Sequence, residues 1–183
     1  MVLMRVLGID PGLRNLAFCV LDADGEAVCT GKEDIFAGRD ITVEGTYDAI
    51  VGWCDRHAAM LNDADAVVIE RQFCNNKFKL SACLLIVQTV LQTRCHGRFV
   101  LLHAMAVKRF YNTHAGKHAA NKRAAVKRAL VLVPELSLTK GKLDDIADAL
   151  LLAKYHFFSS KTNGNRGKDK PGERHNKAVS TAT

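Results

Sequence analysis

The chain has 183 residues, 48% of them hydrophobic and 25% charged, with a formal net charge of +7. That length suits one domain with a core of its own, and the composition excludes a largely disordered or collagen-like chain. The charge is uneven: nine Lys/Arg stand against one acid from Ala104 to Lys142, and six against two from Ser159 to Thr183, so the rest is net negative; an acidic core region with a basic arm suits an enzyme that holds metal in one place and phosphates in another.

Val2 to Asp10 reads as a first strand, an apolar run that ends on one carboxylate. Pro11-Gly12 breaks it, and Leu16 to Leu21 is a second strand. Asp24-Gly25 is a hairpin signal leading to a third strand, Glu26 to Thr30, so the opening reads as an antiparallel meander. Lys32 to Glu44 is polar and irregular. Thr46 is positioned to cap a helix running to about Leu61. Its apolar stripe is Tyr47, Ile50, Val51, Cys54, Ala58 and Leu61, with Trp53 at the edge.

Ala66 to Ile69 is a buried strand that finishes on Glu70, the second apolar strand to end on an acid. A right-handed crossover would lay it beside the first strand and bring Asp10 and Glu70 to neighbouring ends. Lys77 to Arg94 reads as a long helix, apolar on more than one face and therefore buried on two sides, in a core or between subunits. Phe99 to His103 is a short strand. A helix from Ala104 to Tyr111 turns Lys108 and Arg109 outward. Asn112 to His118 reads as a loop, and Asn121 as the cap of a basic helix, Lys122 to Leu130, that carries Lys122, Arg123, Lys127 and Arg128. The last helix, Lys142 to Phe158, has three acids in its first turns, Asp144, Asp145 and Asp148. Either later pair shares a face, and the helix dipole accounts for Asp144 and Asp145 better than for Asp148. From Ser159 to Thr183 no apolar periodicity survives, and the segment reads as a flexible basic tail after a domain spanning 1–158.

Asp10, Glu70 and a pair from Asp144, Asp145 and Asp148 would place four carboxylates near one point. Divalent cations would remove their repulsion: Mg²⁺ takes hard oxygen ligands and binds beside phosphates. Two such ions ~4 Å apart can activate a water and stabilise the leaving 3′-oxygen of a phosphodiester. Lys108 or Lys122 would contact the scissile phosphate. No Cys/His set or Ser/His/Asp arrangement competes, and no P-loop motif offers a nucleotide site. The six cysteines form no C-x-x-C pair, which favours a reducing, intracellular compartment. The opening residues are too short for a signal segment, and Leu80 to Thr93 is too short and too polar to span a bilayer.

Gly8-Ile9-Asp10-Pro11-Gly12, Ile69-Glu70-Arg71-Gln72-Phe73 and Asp145-Ile146-Ala147-Asp148-Ala149-Leu150, in that order, resemble the RuvC family of Holliday junction resolvases. Arg14-Asn15-Leu16-Ala17-Phe18 is similar to the poxvirus and mitochondrial branch, which suggests a viral or organellar relative, from a virus factory, host cytoplasm or organelle. The resemblance implies an RNase H-like α/β fold, a mixed five-stranded sheet with helices on both faces. It also implies a homodimer acting on four-way junction DNA with two Mg²⁺ ions per site, Mn²⁺ substituting. Carried over by position, it makes Asp10, Glu70, Asp145 and Asp148 the metal ligands, Asp145 rather than Asp144. It also puts Lys108 at one active-site lysine and Lys122 or Lys117 near the second. Phe73 matches a junction-wedging aromatic, and Lys77, Lys108, Arg109, Lys117, Lys122, Arg123 and Lys127 would face DNA. The expected reaction is symmetric paired nicking of a four-way junction. The competing expectations are an RNase H-like nuclease acting on RNA–DNA hybrids or flaps, and a non-catalytic nucleic-acid-binding module.

Overall fold

Five strands pair into one sheet. The computed structural model describes residues 4–73, 78–138 and 143–166. The predicted start of the first strand at Val2, Lys77 at the head of the long helix, and the tail beyond Arg166 lie outside the described residues. The strands are β1 (Val6–Asp10), β2 (Leu16–Leu21), β3 (Ala27–Glu33), β4 (Ala66–Glu70) and β5 (Arg98–Leu102). Their order across the sheet is β3-β2-β1-β4-β5. β1, β2 and β3 are antiparallel neighbours, whereas β4 runs parallel to both β1 and β5. The predicted meander and crossover are therefore both present. At the β2–β3 turn, Asp22 Oδ1 accepts from the backbone N–H groups of Asp24 and Glu26 at 3.0 and 2.8 Å, while Gly25 takes a positive φ of 88°.

The helices are α1 (Val43–Arg56), α2 (Ala58–Asn62), α3 (Phe78–Arg94), α4 (Ala104–Phe110), α5 (His118–Leu132) and α6 (Asp144–Arg166), with a 3₁₀ turn at Pro134–Leu138. Side chains alternate across a strand, and here each face builds its own core. Leu7, Ile9, Phe18, Val67 and Ile69 pack with Trp53, Ile50, Val87 and Leu91 of α1 and α3. Val6, Ala17, Cys19, Val68 and Leu102 meet Ala149, Leu150, Ala153 and Phe157 of α6.

Several element ends differ from the expectation. α1 starts earlier, and Thr42 is its cap: Thr42 Oγ1 accepts from the Gly45 N–H at 2.9 Å. Thr46 lies inside the helix, its hydroxyl donating to the Thr42 carbonyl at 2.6 Å. The buried face runs through Ala49, Ile50, Trp53 and Cys54. Trp53 is 0% exposed while Tyr47 is 55% exposed, the reverse of their predicted places. The predicted single helix to Leu61 breaks at His57, which leaves helical geometry (φ −108°, ψ 21°). His57 Nε2 pairs with Glu33 Oε1 at 2.6 Å and its ring packs on Trp53. α5 begins at His118 with Lys117 as its cap residue; Asn121 instead accepts from the Ala115 N–H at 2.6 Å, tying down the loop before the helix. α6 continues to Arg166, so the first residues of the predicted tail are helical.

Cys19, Cys29, Cys54, Cys83 and Cys95 are free thiols. Among the described residues no helix is long and apolar enough to cross a membrane.

Candidate active site

Two parallel strands and one helix end bring the acids together. Ile9 of β1 pairs with Ile69 of β4, so Asp10 and Glu70 follow at matching strand ends. Both share the side of the sheet on which Val6 and Val68 meet α6. α6 can lie close there because β1 carries Gly8: a Cβ added to Gly8 would strike the Ala149 carbonyl oxygen and stand 2.9 Å from Ala153 Cβ. That close approach sets the acidic first turns of α6, with Asp144, Asp145 and Asp148, over the carboxyl ends of β1 and β4. A tight turn follows Asp10, in which the Gly12 N–H donates to the Asp10 carbonyl at 2.9 Å.

The electrostatics show which acids face one another. Burial holds the Asp10 carboxyl well above the usual carboxylate range. The charges of Asp148, Glu70 and Asp145 push it further, and Lys122 opposes them. Burial raises Asp148 to about 6; Lys108 and Lys122 pull it down, while Glu70 and Asp145 push it up. Glu70 is raised by burial against the opposing charges of Lys108 and His103. Asp144 behaves differently: its hydrogen bond from Lys122 holds it below the usual range. Asp145 acts on both Asp10 and Asp148.

The sequence places four acids near one point; the structure sets Asp10, Glu70, Asp145 and Asp148 within electrostatic reach of one another. Among the described residues no three His, Cys, Asp or Glu side chains are gathered closely enough to hold a metal ion. Asp145 is turned toward cations. Lys32 Nζ stands 3.5 Å from its Oδ2 and Lys122 Nζ 3.5 Å from its Oδ1. Lys122 also donates to Asp144 Oδ2 at 2.7 Å. The donor set nevertheless fits a hard divalent cation. It is all carboxylate oxygen, two ammonium groups stand beside it, and burial, joined by like charge at Asp10 and Asp148, drives Asp10, Glu70 and Asp148 toward protonation.

Lys108 lines a narrow cleft with Glu70 and Asp148. Of the two candidates for the second lysine, Lys122 contacts the acids, whereas Lys117 is exposed at the α5 cap. Lys122, Arg123 and Lys127 border one open groove beside Leu143 and Asp144. Arg109 is exposed in the last turn of α4. Phe73 is 55% exposed beyond β4, its ring 5.6 Å from that of His103. Lys77 lies outside the described residues.

Two residues of this site escaped the sequence reading. His103 caps α4, its Nδ1 accepting from the Met105 N–H at 3.3 Å, and its charge acts on Glu70. The signal was a histidine directly after an apolar strand and before a helix. Lys32 gave no local signal, because its place depends on strand register.

An RNase H-like sheet with a carboxylate cluster at the ends of two adjacent strands defines a class, the nucleases that work on phosphodiesters through acidic sites. The family model described as Crossover junction endodeoxyribonuclease RuvC matches residues 6–156; the chain belongs to that family. A crossover junction endodeoxyribonuclease RuvC from Rhizobium etli is 25% identical over 181 residues, covering 87% of this chain and 93% of the relative. Among solved structures, Thermus thermophilus RuvC in complex with Holliday junction substrate matches with a TM-score of 0.57 at 18% identity, over 87% of this chain and 96% of that one. The yeast mitochondrial Holliday junction resolvase matches with a TM-score of 0.61 at 14% identity, over 90% and 84%. These two likenesses establish the fold. RuvC-family nucleases generally use divalent metal ions.

Proposed function

We propose that this protein is a structure-selective endonuclease that resolves four-way DNA junctions by paired, symmetric nicks. The observation that carries the reading is the placement of Asp10 and Glu70 at adjacent parallel strand ends beneath the acidic turns of α6, in a chain whose family is defined by this activity.

Asp10, Glu70, Asp145 and Asp148 are the residues to hold the cations, two Mg²⁺ per site with Mn²⁺ able to substitute. Bound there, the ions supply an activated water and charge neutralisation at the leaving 3′-oxygen. The mutual influence of Asp145 with Asp10 and Asp148 supports it over Asp144, which is engaged by Lys122. Lys108 neutralises Glu70 and Asp148 from one side of the cleft and is positioned to meet a phosphate. Lys122 opposes the charges of Asp10 and Asp148, and its contacts with Asp144 and Asp145 support it over Lys117. Arg109, Lys117, Arg123 and Lys127 are exposed cations for the junction arms, so binding should fall steeply with salt. Phe73 is the proposed wedge at the branch point.

The protein works as a homodimer on this reading. A four-way junction has two-fold symmetry, so a two-fold dimer sets one site on each of two opposed strands. α3 leaves Phe78 and Leu80 exposed at its N-terminal end, apolar surface for a second copy to cover. The residues beyond α6 serve as a basic arm that adds affinity. The motif Arg14 to Phe18 supports a place near the poxvirus and mitochondrial branch, in a reducing compartment.

The test is a substrate comparison in Mg²⁺: a mobile four-way junction, a linear duplex and an RNA–DNA hybrid. The junction should be cut and the other two left largely intact. Equal cutting of hybrid and junction would assign the site to a different RNase H-like activity, and binding without cutting would make the chain a non-catalytic module.

A further inference from the structure

Three residues stand in one row across the sheet. Asp10 of β1 pairs with Ala17 of β2, and Ala17 pairs with Lys32 of β3. Residues directly opposed on neighbouring strands project to the same face, and Ala17 belongs to the face covered by α6. Only the buried methyl of Ala17 separates Asp10 from Lys32 along that row. A lysine carries its charge on a flexible four-carbon stem. Passing over so small a neighbour, Lys32 reaches the first turn of α6, where Nζ stands 3.5 Å from Asp145 Oδ2.

The contact is one link of a longer chain. Asp145 Oδ1 faces Lys122 at 3.5 Å, and Lys122 continues to Asp144 at 2.7 Å. Positive and negative groups alternate: Lys32, Asp145, Lys122, Asp144. Each oxygen of Asp145 thus has an ammonium beside it. The side chains of Lys32 and Asp145 are only 25% and 16% exposed, so their attraction is less screened than that of a surface pair. A plain structural tie between β3 and α6 would account for the distance alone. It would not account for a tie placed on an acid that a second lysine also engages, beside carboxylates that repel one another.

On the reading that these acids hold divalent cations, we infer that Lys32 is a positioning residue of the site, a resident counter-charge for Asp145. Metal loading is then an exchange. A divalent cation held by Asp145 would displace the Lys32 ammonium that now faces that carboxylate. The resident lysine keeps the acid turned in and the cluster tolerable without metal, at the expense of metal affinity.

The experiment is direct Mn²⁺ binding to the full chain without DNA, read from the electron paramagnetic resonance signal of the free ion. Lys32→Gln keeps most of the stem and removes the charge; it should bind Mn²⁺ roughly three- to fivefold more tightly, the size expected for losing one partly screened competitor. Lys32→Arg should return the affinity toward that of the parent. Asp145→Asn should weaken binding several-fold whatever Lys32 does. If the parent binds no Mn²⁺, the metal-site reading fails and this inference with it. If Asp145→Asn weakens binding while Lys32→Gln leaves it unchanged or weaker, the metal site stands and the exchange is overturned. A second readout needs no variant: acylation of Lys32 in the parent protein, followed by mass spectrometry, should quicken several-fold when Mn²⁺ is added. Unchanged or slower labelling contradicts the exchange.

Discussion

Gly8 and Ala149 touch where the sheet meets its covering helix. A side chain on Gly8 would run into the Ala149 carbonyl, so the missing Cβ sets how near α6 lies to β1. Asp10 is two residues along the same strand, and Asp148 immediately precedes Ala149. The packing contact and the chemistry are therefore one piece of geometry. Gly8→Val should destabilise the fold by about 1–3 kcal/mol, the usual cost of overpacking. It should also reduce cleavage by more than the unfolded fraction explains, because α6 must move away from Asp10. Thermal melts and single-turnover cleavage of the same preparation check both.

The acids should divide into two groups. Asp10→Asn, Glu70→Gln and Asp148→Asn should each lower cleavage by at least about 10³-fold, a loss typical of removing an essential charged group, with junction binding largely intact. Asp145→Asn should join them. Asp144→Asn should lose far less, since Asp144 holds Lys122 rather than facing Asp10. Normal cleavage by Asp145→Asn with loss in Asp144→Asn would reverse that assignment.

Burial and like charge raise Asp148 from 3.8 to about 6, which gives a pH dependence with a definite sign. Between those values the folded state binds more protons at Asp148 than the unfolded state does. Its contribution to stability therefore falls as pH rises from about 4 to about 6. Asp10 and Glu70, also raised, act in the same direction. In metal-free buffer, the melting temperature of Asp148→Asn should rise relative to the parent across this interval and then level off. Adding Mg²⁺ at pH 7 should stabilise the parent and leave the variant nearly unchanged. A constant difference from pH 4 to 7 would contradict this.

Phe73 is more than half exposed and touches His103 rather than the core. Phe73→Ala should therefore cost under about 1 kcal/mol of stability, as for surface substitutions. Cleavage of a fixed-branch junction should fall about tenfold if the ring opens the branch point. A mobility-shift assay beside a cleavage time course separates the wedge from a general binding contact.

Much of this arrangement was legible in the chain because it is written locally. An apolar run that ends on Asp10, another that ends on Glu70, and three acids at the head of an apolar helix each carry their own signal. The misread boundaries have specific physical causes. Thr42 and Thr46 both precede the apolar stripe of α1, and Gly45 between them looks like loop. The structure shows that Gly45 supplies the N–H that Thr42 caps. A stripe drawn through Tyr47 fits the helical period nearly as well as one through Trp53, and only tertiary packing against Phe18 decides between them. The break at His57 depends on Glu33, distant in sequence. Past Phe158, α6 continues through a polar sequence with no apolar stripe to mark it. Lys32 was invisible for another reason: its nearness to Asp145 follows from two strand registers and a small residue at Ala17, none of which is a local pattern.

The α1 cap gives a separate check on the fold. Thr42→Ala should cost about 1 kcal/mol, the usual loss of an N-cap, and Thr42→Ser should recover most of it. An equal loss from Thr46→Ser, which keeps the hydroxyl, would be inconsistent with the cap at Thr42.

The most direct measurement maps nicks on a mobile four-way junction in Mg²⁺, labelling each of its four strands in turn. The proposed resolvase should cut two opposed strands at symmetry-related positions, leaving 5′-phosphate ends that a ligase reseals, with Asp10→Asn producing neither nick. Scattered single nicks on all four strands, or the same pattern from Asp10→Asn, would contradict a paired resolvase working through Asp10.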